Sequence, residues 1–208
     1  MAADVARGRG FVTRIAIVTV AGMTIGVSEA PATVAEQRAR LPPAAECQSP
    51  IAGRWKALVY SHTTSSWYQR TLELHQDEAD PTRLIGVQYV EYWAGPVTEP
   101  EPPATCIRHQ RGKMTGRGTF INDEVAFYSD EYELVEIICG GRGGYNPDNF
   151  TGRLDRELQE FQAINNDGGT SVNEPTLFRR IACLDDGVRQ ERTVEPPAFF
   201  PKRRTGGC

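Results

Sequence analysis

The sequence predicts an all-β protein, built as a single antiparallel meander β-barrel of about eight or nine strands. Short segments alternate between apolar and other side chains with a period of two, and they are rich in the Val, Ile, Thr, Tyr and Trp residues that strands favour. Clusters of Asn, Asp, Gly and Pro separate these segments, as expected for tight turns. A β-sandwich with the same number of strands is the alternative. No window of 12 residues has the apolar period of a convincing amphipathic helix.

The predicted strands follow one another through the middle of the chain, from Gly53 to Cys183. Each is short and ends at a residue cluster that favours a turn. The alternating segments are 55–60, 71–75, 85–93, 125–127, 132–138, 161–164 and 177–183. The turn signals between them are Asp80-Pro81, Ile121-Asn122-Asp123, Ser129-Asp130 and Asn166-Asp167-Gly168-Gly169.

A short internal repeat supports the meander, because a Gly-Arg pair opens three of the predicted strand pairs. Glycine has no Cβ, so it lets a strand bend sharply or approach its neighbour closely. Strongly curved sheets close into barrels, and closure removes the exposed edges that a flat sheet has to protect. The repeats are Ala52-Gly53-Arg54, Thr115-Gly116-Arg117 and Thr151-Gly152-Arg153.

The two ends of the chain differ from the middle in composition. Basic residues precede an apolar run of 13 residues at 15–27, which is too short to span a bilayer and is typical of a secretory signal peptide cleaved after Ala32. We therefore expect a signal peptide (1–32), a flexible linker (33–46), a barrel domain (47–183) and a mostly disordered C-terminal tail (184–208). The protein is then secreted or periplasmic, with no stable membrane insertion after cleavage. An uncleaved membrane anchor is the alternative.

Export places the cysteines in an oxidising compartment, where they form disulfides. Three pairings of four cysteines are open, and we favour Cys47 with Cys183 because these two flank the strands. Cys106 then pairs with Cys139, and Cys208 is left over. No Cys-x-x-Cys pair indicates zinc, so we predict no metal and no cofactor.

Gly53-Arg54-Trp55 on the first strand, followed by a meander and by Arg179 and Arg180 on the last strand, resembles the lipocalin or calycin pattern. The resemblance covers about residues 47–183. It implies that the tryptophan closes one end of the barrel and that a late arginine packs across it, in a cation–π contact of ~0.5–2 kcal/mol. It also implies a barrel that binds small molecules.

Composition and motifs exclude several function classes. The chain of 208 residues has a net charge of −4 and no long basic run, so nucleic acid is not an expected partner. No Gly-x-Ser-x-Gly, His-Glu-x-x-His or phosphate-binding loop is present, which favours a protein that is not an enzyme and leaves the enzyme class open. The glycine-rich segment 140–144 lacks the lysine of a phosphate loop and is interpreted as a flexible loop. The functional alternative is a mobile lip over a barrel mouth.

Aromatic residues from several strands are the better indication of function, because the cavities of small barrels combine aromatic side chains with a few polar groups. Ile85, Val87, Tyr89 and Trp93 share one face of a strand, and Glu91 joins a cavity only if it points inward, although the outward orientation is favoured. The candidate ligand-binding residues are Trp55, Tyr89, Glu91, Trp93 and Tyr132.

Three functions remain open. The first is a secreted or periplasmic β-barrel that binds a small apolar or amphipathic ligand. The second is a barrel enzyme of the cyclase or isomerase type, which would need Glu91, His75 or Glu136 inside a closed cavity. The third is a structural or inhibitory surface protein that uses loops 94–105 and 140–149. Neither the identity of the ligand nor the oligomeric state follows from the sequence.

Overall fold

The computed structural model describes residues 33–105 and 107–184. The predicted signal peptide, Cys106, Cys208 and all but the first residue of the predicted tail lie outside this part of the chain. One short helix, α1 (Val34–Ala39), precedes nine strands, and the predicted all-β class is confirmed. The strands are β1 (Gly53–Ser61), β2 (Ser66–Gln76), β3 (Arg83–Ala94), β4 (His109–Ile121), β5 (Glu124–Ser129), β6 (Glu133–Cys139), β7 (Asn149–Asp155), β8 (Glu160–Asn166) and β9 (Val172–Ala182).

Eight of these strands form a closed antiparallel barrel in the order β3-β2-β1-β9-β8-β7-β5-β4, and β4 pairs with β3 to close it. The predicted barrel is therefore confirmed over the sandwich. β4 is not among the alternating segments of the sequence. Its outward positions are mostly basic, and three of its inward positions are glycines (Gly112, Gly116 and Gly118), so it lacks the apolar alternation of a half-buried strand. A Cβ on Gly118 would lie 1.9 Å from the carbonyl oxygen of Ala126, which explains why this strand needs glycine.

The ninth strand, β6, lies outside the barrel. β4 is longer than β5, and β6 pairs with the half of β4 that β5 leaves free, from His109 to Lys113. The pairing shifts register twice, and each shift leaves an extra residue on β6, at Val135 and at Ile138. Such bulges twist an edge strand and make it a poor template for pairing with another chain.

One end of the barrel is filled by a solid apolar core. Trp55 lies in this core, and the guanidinium carbon of Arg180 sits 4.6 Å from the centroid of its indole ring. Arg180 also donates to the backbone carbonyls of Ser49, at 2.7 Å, and Pro50, and burial lowers its pKa to about 10. This arrangement agrees with the closure that the lipocalin resemblance implies. The core residues are Ile51, Trp55, Ala57, Leu72, Leu74, Leu84, Phe120, Val125, Phe127, Phe150, Leu154, Phe161, Ala163 and Phe178.

The same end carries a disulfide that joins the segment before β1 to the residue after β9. Cys47 and Cys183 are bonded, with Cα atoms 5.5 Å apart. Cys139 is also disulfide-bonded. Its predicted partner, Cys106, lies outside the described residues, so that pairing stays a prediction.

Residues 33–46, which the sequence predicts to be a flexible linker, contain the helix α1. Thr33 and Glu36 form a capping box that begins α1, and the helix packs on the outside of the barrel. Gln37 is buried and bonds to the β9 backbone: its amide nitrogen donates to the Pro175 carbonyl at 2.9 Å, and its oxygen accepts from the Leu177 amide at 2.8 Å. The Thr-x-x-Glu signature is present in the sequence as Thr33 to Glu36.

This contact occupies a gap between β1 and β9. The two strands pair only from Arg54 to Lys56 on β1, so β9 lacks a strand partner on that side nearer the other end of the barrel. The side-chain amide of Gln37 supplies one donor and one acceptor there, as a strand would. Residues of the segment 33–46 also cover a second, outer apolar cluster, which contains Leu41, Leu58, Tyr60, Trp67, Trp93 and Leu177.

Within residues 33–105 and 107–184, no helix combines the length and the apolar composition that crossing a bilayer requires.

Candidate functional site

Three of the five predicted ligand-binding residues lie on the outside of the barrel. Even-numbered residues of β3, such as Gln88 and Tyr92, face the interior, so Tyr89, Glu91 and Trp93 face outward. All three are nevertheless buried, because other parts of the chain cover the outer surface there. These three side chains, predicted to be cavity-lining, therefore lie outside the barrel interior. For Glu91 the favoured outward orientation is the observed one.

The other two candidates remain inside. Trp55 is fully buried in the solid core at the closed end, where there is no space for a ligand beside it. Tyr132 packs against the apolar cluster at the opposite end, next to Tyr145. Only Tyr132 therefore lies close to the cavity described below.

The cavity opens at the end of the barrel opposite Trp55, which we call the mouth. Its volume is about 200 Å³. Four parts of the chain line it: the turn between β1 and β2 with the start of β2, the facing ends of β3 and β4, the loop between β6 and β7, and the loop between β8 and β9. The lining residues are Thr64, Tyr68, Tyr92, Arg108, Gly143, Gly144, Tyr145, Asn146, Asp167, Thr170 and Ser171.

Four tyrosines form a stacked group at the mouth, which we call the tyrosine cluster: Tyr68, Tyr92, Tyr132 and Tyr145. The centroids of Tyr68 and Tyr92 lie 5.6 Å apart, those of Tyr92 and Tyr145 6.0 Å, and those of Tyr145 and Tyr132 5.2 Å. Burial raises the pKa of every member, that of Tyr132 to about 12. The cluster therefore stays uncharged near neutral pH and can donate hydrogen bonds.

Arg108 forms part of the cavity wall beside this cluster. Its guanidinium carbon lies 5.8 Å from the centroid of Tyr92, and one of its terminal nitrogens donates to the Ser66 hydroxyl at 2.8 Å. The Nε atom is buried and has no hydrogen-bond partner among the described residues. No carboxylate of the described chain pairs with this arginine, so it brings an uncompensated positive charge to the mouth.

Asp167, the acidic residue of the cavity lining, is occupied by its own loop. Its carboxylate accepts hydrogen bonds from the backbone amides of Gly169, at 2.7 Å, and Ser171, at 2.9 Å, and from the Thr170 hydroxyl at 3.3 Å. These contacts hold the β8–β9 loop in place. Asp167 therefore has a structural use in the wall of the cavity, and its negative charge is already shared among three donors.

Beneath the cavity, the barrel interior contains a buried polar network centred on Asp148. Arg70 donates to its carboxylate from two nitrogens, at 3.2 and 3.3 Å. The Tyr145 hydroxyl donates at 2.6 Å, the Asn165 amide at 2.5 Å, and Gln88 also donates to it. Four side chains thus converge on one carboxylate, and they separate the cavity from the apolar core.

Arg70 is the second cation in this half of the barrel. It is 1% exposed, and it also contacts Glu174, with 3.3 Å between its Nη2 and Oε2. Burial alone would lower its pKa, but the charges of Asp148 and Glu174 outweigh this effect and raise the pKa well above its usual value. Its Nη1 atom is buried without a hydrogen-bond partner in the described chain.

Three unpartnered donors therefore lie in or beside the tyrosine cluster: Nε of Arg108, Nη1 of Arg70 and the hydroxyl of Tyr132. Buried polar groups in folded proteins normally have a partner, so each such donor needs an explanation. Donors without acceptors are what a site for an acceptor-rich ligand presents before the ligand binds.

The residues on which the enzyme hypothesis depended do not reach this site. Glu91 pairs with His109 at 2.6 Å and with Arg111 at 3.1 Å on the outer face of the barrel. Burial alone would raise the pKa of Glu91, but the hydrogen bond to His109 and the charge of Arg111 hold it below its usual value. His75 is exposed, and Glu136 forms an exposed pair with Arg111. The group acts as an ion-pair cluster that ties β3, β4 and β6 together.

Two of the residues that build the site leave a signal in the sequence. Tyr68, Arg70, Leu72 and Leu74 alternate along one strand, so their side chains lie on the same face. An arginine on an apolar strand face indicates a buried partner, because an unpaired buried charge is costly. The partner itself, Asp148, lies 78 residues away in an irregular segment and has no local pattern that identifies it.

No group of three or more His, Cys, Asp or Glu side chains within 33–105 and 107–184 is arranged to hold a metal ion. No protein-family model matches the sequence, no curated protein is significantly similar to it, and no solved structure matches its fold. The barrel is compatible with a lipocalin-like fold, and membership of that family is not shown.

Proposed function

We propose that this protein is a secreted or periplasmic binding protein whose barrel mouth holds a small, planar, negatively charged molecule, such as an aromatic carboxylate. The observation that carries the proposal is Arg108, a cation in the cavity wall with a buried, unpartnered Nε and no paired carboxylate among the described residues. A ligand with a carboxylate supplies the missing acceptor, and a ring beside that carboxylate makes the ligand amphipathic.

The size of the cavity supports a ligand with a single ring. Pockets for drug-sized molecules usually have volumes of about 300–1,000 Å³. The cavity here has about 200 Å³, because the Asp148 network and the apolar core fill the rest of the barrel. A long fatty-acid chain would need that filled space, so the proposal favours a short amphipathic ligand over an extended apolar one.

The chemistry of the lining supports the same ligand class. Tyr68, Tyr92 and Tyr145 offer aromatic surface to a ring, while Thr64 and Ser171 offer hydroxyl groups at the rim. Aromatic pairs favour offset or edge-to-face geometry and contribute about 0.5–1.5 kcal/mol beyond the burial of their area. The tyrosine cluster is uncharged and Asp167 is hydrogen-bonded by its own loop, so Arg108 is the cation of the cavity lining that is available to a ligand's carboxylate.

The disulfide between Cys47 and Cys183 supports the extracytoplasmic part of the proposal, because disulfides persist mainly in oxidising compartments. Mass spectrometry of the exported protein tests this part. We expect the loss of about residues 1–32, so that the mature chain begins at or near Thr33. An exported chain that keeps its first 32 residues would contradict the cleavage.

Calorimetric titration with two probes tests the ligand class. Benzoate carries the charge, and benzamide has nearly the same shape without it. We expect benzoate to bind more tightly than benzamide, and Arg108→Gln to weaken benzoate binding by about 10- to 100-fold, in line with about 1.5–3 kcal/mol for a hydrogen bond to a charged group. Benzamide binding should change little.

Arg83→Gln is the matched control. It removes the same charge from an exposed arginine at the start of β3, at the closed end of the barrel. Circular dichroism of each variant confirms that the fold is retained. Equal affinity of wild type and Arg108→Gln for benzoate, or no measurable binding of benzoate to the wild type, would show that the proposed ligand class is wrong.

A further inference from the structure

We infer that the loop between β6 and β7 (residues 140–147, the mouth loop) is a lid, and that its opening exposes a second, deeper subsite whose donor is Nη1 of Arg70. The inference rests on the proposed function, since it extends the same binding site. It assigns the deeper subsite to an uncharged oxygen of the ligand, such as a phenol or carbonyl oxygen.

The mouth loop is held to the barrel by few contacts. No backbone–backbone hydrogen bond of the described chain involves residues 141–147. The Gln110 amide donates to the carbonyl of Gly141 at 2.5 Å, and otherwise the side chain of Tyr145 anchors the loop, through stacking and its bond to Asp148. Segments with few backbone hydrogen bonds belong to the low-stability end of a fold and open first.

The loop also has the composition of a hinge, with glycine at four of its first five positions. Gly140 has φ of +77°, and a Cβ there would lie 2.5 Å from the carbonyl oxygen of Ile107. A Cβ on Gly143 would lie 2.4 Å from the Tyr92 hydroxyl. These two glycines are needed for the closed position. Gly141 and Gly144 are not, since a Cβ on either meets no atom within 4 Å.

Tyr145 separates the open cavity from the deeper donor. One side of its ring stacks on the tyrosine cluster, and its hydroxyl reaches the same carboxylate of Asp148 that Arg70 binds. Withdrawal of Tyr145 joins the cavity to the space next to Arg70. The unpartnered Nη1 then gains access to a ligand, which gives a role to a donor that the closed structure leaves without one.

The charges around Arg70 decide which oxygen the deeper subsite takes. Arg70 already contacts Asp148 and Glu174, so its surroundings are net negative before a ligand arrives. A second carboxylate of a ligand would be repelled there, whereas a neutral oxygen accepts the free N–H without adding charge. The full site therefore fits a ring with a carboxylate at one end, for Arg108, and a neutral oxygen at the other.

Hydrogen exchange tests the lid without any ligand. Gly141→Ala/Gly144→Ala fits the closed loop and restricts the open one. The amides to follow are the hydrogen-bonded ones at the base of the mouth loop: Ser129 donates to the Asp148 carbonyl at 3.1 Å, and Asn149 donates to the Asn165 side chain at 3.2 Å. We expect their exchange to slow by about 4- to 30-fold. Gly95→Ala is the matched control, in a different surface loop where a Cβ meets its nearest atom at 3.9 Å. It should leave the exchange of these amides unchanged. Equal exchange in the double variant and wild type would overturn the lid.

Stopped-flow binding of 4-hydroxybenzoate and benzoate tests the deeper subsite. We expect wild type to bind 4-hydroxybenzoate more tightly than benzoate, by about tenfold. Gly141→Ala, which changes a loop residue outside the cavity lining, should slow association of 4-hydroxybenzoate by about 2- to 5-fold. Benzoate needs only Arg108, so its association rate should be unaffected. Arg70→Met should abolish the preference for 4-hydroxybenzoate.

The wild-type probe comparison decides the question even where Arg70→Met does not fold. If the two probes bind wild type with equal affinity and equal rates in all variants, the deeper subsite is refuted while the proposed function stands. If neither probe binds, the proposed ligand class is refuted together with the subsite, and the exchange experiment still decides the lid.

Discussion

Replacement of Asp148 by asparagine removes the charge at the centre of the interior network while keeping the shape of the side chain. Asp148 is 1% exposed and accepts hydrogen bonds from Arg70, Gln88, Tyr145 and Asn165. Asparagine places an N–H group among these donors, so at least one of them loses its acceptor. Arg70 also loses the closer of its two acidic partners and keeps Glu174.

The size of the effect follows from the geometry. The contacts between Arg70 and Asp148 are 3.2 and 3.3 Å, which places the two centres of charge about 4 Å apart. At an effective dielectric constant of about 20 this separation corresponds to about 4 kcal/mol. Removal of one partner of a buried pair usually costs about 3–5 kcal/mol, so the two arguments agree. We expect a loss of about 3–4 kcal/mol in the free energy of unfolding, or a Tm lower by roughly 6–16 °C.

Equilibrium unfolding in urea with the disulfides intact measures this loss. Asp123→Asn is the matched control, because Asp123 also pairs with an arginine, Arg156, at 2.7 Å, but in an exposed position. Exposed pairs contribute at most about 1 kcal/mol, so the control should unfold almost like the wild type. A cost for Asp148→Asn within the error of this control would refute the reasoning.

A double-mutant cycle with Arg70→Met separates the ion pair from the rest of the network. We expect each single variant to be strongly destabilised and the double variant to be more stable than the sum of the two losses predicts, by about 2 kcal/mol or more. If the two losses simply add, the arginine and the carboxylate do not depend on each other, and the stability of this half of the barrel has another source.

Three further predictions concern the frame of the barrel. Cys47→Ser/Cys183→Ser removes a cross-link between residues 136 apart, for which the chain-entropy relation gives about 5 kcal/mol. Denaturant unfolding should show that the free energy of unfolding falls by about 2–5 kcal/mol. A fall below about 1 kcal/mol would contradict the prediction. Burial opposes ionisation of Glu160, but its two arginine partners outweigh burial and hold its pKa below the usual value. The stabilisation that ionised Glu160 provides is therefore present above about pH 4.5 and is lost as the pH falls through the lowered pKa. Glu160→Gln should therefore flatten the fall in stability below about pH 4.5, and an unchanged acid profile would count against this assignment. Gln37→Ala leaves two backbone groups of β9 without partners, and we expect a loss of about 2–4 kcal/mol together with faster amide exchange in β9; an unchanged exchange rate there would show that water replaces the side chain without cost.

The sequence predicted the architecture well because strand alternation and turn residues are local signals. The barrel, the disulfide between Cys47 and Cys183 and the packing of Arg180 over Trp55 all agree with it. Cys47 and Cys183 flank the predicted strands, so contact between the two ends of the barrel domain could be predicted. The helix α1 had a local signal as well, a Thr-x-x-Glu capping box, which its polar surroundings obscured.

The orientation of β3 could not be predicted from periodicity. Its outward face carries Tyr89 and Trp93, while Gln88 points into the barrel. Apolar residues normally mark the inward face, but here other segments cover the outer surface and the interior holds a polar network, so both faces are buried. The contacts that bury polar groups inside the barrel and hold a covering segment outside it, between Gln88 and Asp148 and between α1 and β9, join residues that are far apart in the sequence.

The Gln37 contact has a consequence for how much of the chain the fold requires. A side chain, rather than a neighbouring strand, satisfies the free backbone groups of β9, and that side chain belongs to the segment N-terminal to the barrel. A proteolytic cut that released residues up to about 40 would spare all nine strands and yet bare a short row of amide and carbonyl groups. Such a row attracts strands of other molecules, and the shortened protein would be expected to self-associate more readily than the intact one.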